Sequence, residues 1–215
     1  MNIPREIQIL EENLGFTRDS TDKIFLFVKI LLECNKKYNL ISKNTEVDVW
    51  SRHVLDSAQI VKFIDFKDNY SLSDLGSGAG FPGIIIALYN SNIKFHVKLY
   101  EKSPVKSKFL LKVCEDLDIR AEIIAGIYQE HKLEDNYVVC RAFKKISKII
   151  DISREKSRIN RKFIILKGKN AQAEINNVSK SNLLKYKLEE SITDKDSKII
   201  ILDANKAGDK NASGN

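Results

Sequence analysis

Gly76, Gly78 and Gly80 recur at every second position in SDLGSGAGFPG (73–83), directly after the short apolar run Ser71–Leu75. Glycines at this spacing let backbone N–H groups approach a ligand and tolerate the positive φ values of a tight turn. The dinucleotide fingerprint G-x-G-x-x-G requires a third glycine where Phe81 stands, and a bulky side chain there obstructs both the pyrophosphate and close helix–strand packing. No Gly-Lys-Ser/Thr follows, so a phosphate-cradling loop is excluded too. The remaining G-x-G-x-G suits a nucleoside without phosphates. In that reading Asp74, Gly76, Gly78, Gly80 and Phe81 line the ligand, with Asp74 facing its sulfonium and ammonium charges. Pro82 is read as the first residue of the following helix, where its missing N–H costs nothing.

Glu101 closes the next apolar run, FHVKLYE, where a carboxylate can accept from both hydroxyls of a ribose. Nicotinamide cofactors use the same device, so Glu101 supports a nucleoside without choosing one. Cys140-Arg141-Ala142-Phe143 ends a later run. It lacks the Asn/Asp-Pro-Pro-aromatic pattern that accepts hydrogen bonds from an exocyclic amine. Cys140 reads as a small buried side chain rather than a nucleophile, since no base accompanies it. Arg141 either orients a substrate, by donating to a base or a phosphate, or closes the sheet as an ion pair. His53 and Asp56 either touch the substrate or tie the N-terminal region to the core, the second being favoured. Arg52 beside them is assigned to substrate. Phe81 and Phe143 suit purine stacking and core packing equally. His96, His131 and the scattered Cys34, Cys114 and Cys140 show no metal-ligand spacing, so no metal is expected.

The elements that position these residues alternate. Residues 1–70 read as a helical cap: a short helix Arg5–Leu14 stopped by Gly15, a second capped by Ser20, and a third from Glu46 to Ile64. From residue 71 strands (71–75, 95–100, 121–125, 137–140, 163–166) alternate with helices (82–89, 104–117, 144–157, and a weaker 170–180). That alternation specifies a parallel α/β sheet covered on both faces. Leu188–Ile192 and Lys198–Leu202 add a terminal antiparallel hairpin. The core is thus 71–203, and 204–215 is read as a frayed tail. The expected architecture is the doubly wound, Rossmann-like class I methyltransferase fold, with a mostly parallel seven-stranded sheet.

The net charge of +7 is concentrated. Residues 1–70 hold 10 Lys/Arg and 11 Asp/Glu, whereas residues 141–169 hold 11 Lys/Arg against Asp151 and Glu155. Such a block is either an electrostatic footprint for a polyanion or a solvated lysine-rich face. No apolar run approaches the ~20 residues of a membrane span. The acidic residues of the first segment do not fit a signal peptide. A cytoplasmic protein that makes no membrane contact is expected.

Taken together, YNLIS (38–42), RHVLDS (52–57), DLGSGAGFPGI (74–84), EKSPVKSKFL (101–110), RAF (141–143) and LKG (166–168) resemble the bacterial small-subunit rRNA guanine-N7 methyltransferases, the glucose-inhibited division protein B family. The resemblance covers most of the chain. It implies S-adenosyl-L-methionine as cofactor and N7 of guanine 527 in 16S ribosomal RNA as the methyl acceptor, on naked RNA or the small ribosomal subunit; a monomer is expected. It implies that Gly76 and Phe81 contact the cofactor, that Glu101 lies near its ribose, and that Tyr128 and Gln129 pass its adenine. Arg141 would face the transfer site, touching cofactor and substrate; from the basic residues themselves, Arg52, Lys106, Lys144, Lys145 and Lys167 are expected to meet RNA. The chain departs from the family pattern at Ile127 and at Ser197–Lys198, where arginines are expected. Guanine N7 carries a free lone pair, so no general base is required and catalysis is mainly positioning. Two alternatives stay open: a non-catalytic RNA-binding factor on the same fold, and a methyltransferase for a small molecule or protein.

Overall fold

The computed structural model describes residues 4–126, 129, 133–153, 159–177 and 186–204. Seven strands form one sheet in the order β3-β2-β1-β4-β5-β7-β6. They are β1 Ser71–Leu75, β2 His96–Glu101, β3 Glu122–Ala125, β4 Tyr137–Arg141, β5 Arg161–Lys167, β6 Tyr186–Glu190 and β7 Lys198–Ala204. β1 pairs in parallel with both β2 and β4, and β7 is antiparallel to β5 and β6. The strand order therefore reverses at β1, which opens a crevice at the carboxyl ends of β1 and β4, the usual ligand position in such sheets.

Strand alternation divides the core in two. Leu72, Leu99, Val139, Ile164 and Ile201 face one side, where they meet the N-terminal helices α1 (Arg5–Glu12) and α2 (Arg18–Tyr38) and the helices α5 (Gly83–Tyr89) and α6 (Pro104–Asp116). Leu75, Val138, Cys140, Ile165 and Ile200 face the other, under α7 (Ile146–Ser153) and α8 (Ala171–Asn176). The cap thus shares a continuous apolar core with one sheet face.

Several boundaries differ from the sequence reading. Ser20 lies inside α2; Thr17 is the cap, accepting the Ser20 N–H at 3.2 Å. Ser20 is drawn inward because its hydroxyl donates to the Leu88 carbonyl at 2.6 Å. The single helix expected over 46–64 is segmented into α3 (Lys43–Glu46), a π-helical turn Trp50–Leu55, α4 (Asp56–Ala58) and a 3-10 turn Gln59–Phe63. Helix α5 begins at Gly83 and Pro82 precedes it, because the Asp74 carboxylate takes the Gly83 N–H at 2.9 Å and so fixes where the first turn starts. Strand β7 continues through Ala204, which pairs with Arg161 and is buried, so the core extends one residue past 203. Residues 205–215 lie outside the described residues. Among those described, no helix is long and apolar enough to cross a membrane.

Candidate functional site

Four strands deliver the site residues to one edge of the sheet. Asp74, Glu101, Arg141 and Lys167 stand at or beside the carboxyl ends of β1, β2, β4 and β5. The loop after β1 is pinned to β2 by the Gly76 and Ser77 N–H groups, which donate to the Tyr100 carbonyl at 2.9 and 3.1 Å.

The three loop glycines serve different neighbours. A β-carbon on Gly76 would lie 2.6 Å from Cδ2 of Phe143. At Gly78, where φ is +59°, the nearest atom is 3.8 Å away, so this residue keeps open space beside the loop. A β-carbon on Gly80 would lie 2.6 Å from Cγ1 of Ile84 and 3.2 Å from Cδ2 of Leu110. Gly80 is therefore required for the close approach of the loop to Ile84 of α5 and Leu110 of α6.

Asp74 also differs from expectation. It is fully buried and receives the Gly83 N–H instead of facing an open crevice. Burial outweighs the hydrogen bonds from Gly83 and Ser77 and the nearby Arg141 charge, pushing its carboxyl up to about 7. Asp74 thus anchors α5 from beneath the loop. Glu101 is also buried, but both of its carboxylate oxygens are oriented by backbone amides of the loops around it. Its Oε2 accepts the Gly78 N–H at 2.8 Å and its Oε1 the Ser103 N–H at 2.7 Å. Each oxygen retains a further acceptor site. Open space at Gly78 beside an oriented carboxylate fits an adenosine ribose. Gln129 is exposed, and Tyr128 and Ile127 lie outside the described residues.

Arg141 is the centre of a second group built by the RHVLDS segment. Its Nη1 donates to the Arg52 carbonyl at 2.7 Å and to Asp56 Oδ2 at 3.3 Å. Its Nη2 contacts Nδ1 of His53, and the guanidinium lies 5.6 Å from the centre of the Phe81 ring. Asp56 then reaches the β6–β7 turn, where its Oδ1 accepts from Thr193 Oγ1 at 3.1 Å and from Gln59 at 2.9 Å. The π-helical turn, a distortion that recurs at functional sites, carries both the Arg52 carbonyl and the His53 ring that Arg141 uses. Burial first, then the Arg141 and Arg52 charges, lower His53 to about 3. Helical periodicity could pair His53 with Asp56, but no sequence signal linked Asp56 to Thr193.

Two cavities meet at this cluster. One of about 150 Å³ runs beside the glycine loop and is bordered by Ile41, Gly76, Gly78 and Phe81. The other, about 520 Å³, is walled by Arg52, Lys167, Lys169, Asp194 and Ser197. His53, Arg141 and Ala142 border both. The two spaces are thus neighbours, with these three residues between them.

The basic residues separate into engaged and exposed. Lys167, expected to meet RNA, is 11% exposed in its side chain and pairs with Glu174 at 3.0 Å. It also donates to the Lys144 carbonyl at 2.6 Å, so its charge is spent locking the β4–α7 loop. Glu174 completes that lock by accepting the Ile146 N–H at 2.8 Å. Lys144 lies 5.4 Å from the Phe143 ring centre, while Lys145 and Lys169 are exposed. Lys106, on the first turn of α6, borders neither cavity. Arg52 is half-exposed and 3.8 Å from Asp194. Arg154, Lys156 and Arg158 lie outside the described residues, as does His131. Ser197, where an arginine was expected, donates to Asp194 Oδ2 at 3.0 Å. Cys140 is fully buried, its thiol pushed up to about 12, which suits packing and not attack.

Residues 20–201 match the family described as rRNA small subunit methyltransferase G. The chain is 36% identical over 193 residues to the ribosomal RNA small subunit methyltransferase G of Pelagibacter ubique, covering 87% of this chain and 90% of that one. It is 34% identical over 200 residues to the Rickettsia felis protein of the same name, covering 93% and 95%. Among solved structures, an RNA methyltransferase from Salinibacter ruber in complex with S-adenosyl-L-homocysteine superposes with a TM-score of 0.55 at 13% identity, over 74% of this chain and 95% of that one. A methyltransferase from Aquifex aeolicus superposes with a TM-score of 0.55 at 12% identity, over 70% and 90%. These two likenesses concern the fold.

Proposed function

The chain belongs to the rRNA small subunit methyltransferase G family, and from that premise we propose that it methylates N7 of guanine 527 in 16S ribosomal RNA. It is an rRNA methyltransferase that uses S-adenosyl-L-methionine. That cofactor supplies an electrophilic methyl group. The observation that carries the choice of a purine ring nitrogen is the junction of the two cavities at His53, Arg141 and Ala142. The larger space is big enough for a nucleotide, and the two potential acceptors beside Arg141 at the junction, His53 and Asp56, are already engaged. His53 is turned to Arg141 and Asp56 is saturated by Arg141, Gln59 and Thr193. N7 needs no such acceptor, because its lone pair is already free, and correct placement suffices.

Within this reading Glu101 and the space beside Gly78 hold the cofactor ribose, Phe81 borders the cofactor, and Arg141 stands at the transfer junction. Lys145, Lys169 and Arg52 meet phosphates. The cap, residues 1–70, supplies one wall of the substrate chamber. The protein works in the cytoplasm as a monomer. Reverse-transcription mapping of N7-methylguanine on 16S rRNA, from cells with and without the protein, tests the assignment. The signal at guanine 527 should vanish without the protein. Its persistence, or its loss at another nucleotide, overturns the position.

A further inference from the structure

The contact between Arg141 and His53 fixes a tautomer. A guanidinium has donors only, so Nδ1 of His53 must accept and the ring proton sits on Nε2. Nε2 is buried and has no hydrogen-bond partner among the described residues. The residue is 7% exposed, and a buried donor left unmatched carries a desolvation cost that a bound acceptor relieves. His53 borders both cavities, with its ring centre 5.0 Å from that of Phe81.

We propose that Nε2–H of His53 donates to O6 of the target guanine, which makes His53 the residue that selects guanine over adenine. The inference rests on the N7 assignment above and adds a recognition element to it. N7 and O6 lie on the same edge of guanine, so presenting N7 at the junction brings O6 to the same place. Adenine offers an N6 amino group there, a donor facing a donor. Arg141 is poorly free to read O6, because its Nη1 already serves the Arg52 carbonyl and Asp56 and its Nη2 meets His53. The other acceptor within the reaction is the cofactor carboxylate. The two are separated by His53→Asn, because only a role toward the cofactor predicts a loss of S-adenosylhomocysteine affinity.

Reconstituted small subunits carrying guanine, inosine or 2-aminopurine at the target position, with labelled S-adenosylmethionine, test this. Inosine keeps O6 and N7, whereas 2-aminopurine keeps N7 and lacks O6. The wild-type protein should methylate inosine well and lose about tenfold in kcat/KM on 2-aminopurine, the value of one neutral hydrogen bond. His53→Asn, whose amide still reaches Arg141 but offers nothing at the Nε2 position, should lose about tenfold on guanine and little more on 2-aminopurine. Its affinity for S-adenosylhomocysteine should be unchanged. His53→Gln, which can place an amide N–H near Nε2, should recover part of the preference for O6. Equal wild-type rates on guanine and 2-aminopurine overturn the inference. So does a His53→Asn variant that loses cofactor affinity while keeping the base preference, since the donor then serves the cofactor. If His53→Asn does not fold, the wild-type base series decides alone. Absence of any transfer to guanine would remove the N7 assignment itself, a result distinct from lost discrimination.

Discussion

The ring of Phe143 covers Gly76 so closely that a β-carbon on the glycine would lie 2.6 Å from Cδ2. This contact couples the loop after β1 to the loop after β4, the two segments that flank the crevice. Gly76 also sits at φ +76°, a conformation that costs an L-residue roughly 1–2 kcal/mol. Gly76→Ala should therefore weaken S-adenosylhomocysteine binding by up to about tenfold by calorimetry, because the free loop can relax out of the strained conformation and binding must restore it. Adding Phe143→Ala should recover part of the loss by removing the clash. No recovery in the double variant would mean that backbone strain, and not the ring, carries the effect.

Asp56 ties three separate elements together: Arg141 at the end of β4, Thr193 in the β6–β7 turn and Gln59 in the cap. Asp56→Ala strands a partly buried guanidinium and two further donors, a loss of about 2–3 kcal/mol in stability. Hydrogen exchange should rise in Ser191–Ser197 and near Arg141 while β1 and β2 stay protected. Uniform loss of protection across the sheet would show that Asp56 supports the whole fold and not this clasp.

Lysines in the basic block should behave differently according to their partners. Lys169 is exposed and borders the larger cavity, whereas Lys167 is paired with Glu174. Lys169→Ala should reduce the slope of log affinity for rRNA against log salt by about one. Lys167→Met should leave that slope unchanged and lower turnover, because it frees the loop carrying Phe143. A reduced salt slope in Lys167→Met would return that residue to the phosphate-binding set.

The fold was legible because strand alternation and glycine punctuation are local properties, and the β1–α5 loop carries both. The roles of individual loop residues were less so. Gly76, Gly78 and Gly80 look alike in sequence, and only the positions of Phe143, Ile84 and Leu110 distinguish the glycine under a ring, the one beside open space and the one packed on helices. Asp74 precedes the loop as a ligand-facing acid would, yet the Gly83 N–H captures it. Lys167 belongs to a basic run, but its charge is cancelled by Glu174, whose approach depends on how α8 packs. The segmentation of the 46–64 helix was hidden because its apolar stripe is compatible with a regular helix. Contact with Arg141, 85 residues or more away in sequence, accompanies the π turn. Long-range partners decide each of these cases, and periodicity does not encode them.

His53 and Asp74 should give stability profiles of opposite slope. His53 drops from 6.5 to about 3 on folding, so the unfolded chain binds a proton that the folded protein refuses. Its contribution is complete above about pH 6.5 and is lost as pH falls towards 3. Asp74 rises from 3.8 to about 7, so the folded protein holds a proton that the unfolded chain releases. Its contribution is complete below about pH 4 and is lost as pH rises through 7. His53→Gln cannot take up a proton, so it should gain on the wild type as pH falls from about 7 to 4. Asp74→Asn keeps an acceptor for Gly83 and cannot ionise, so it should gain as pH rises over the same interval. Urea unfolding of the three proteins at both ends of that interval checks the pair. Parallel curves for His53→Gln and wild type would mean that burial and the two neighbouring arginines do not lower the imidazole on folding.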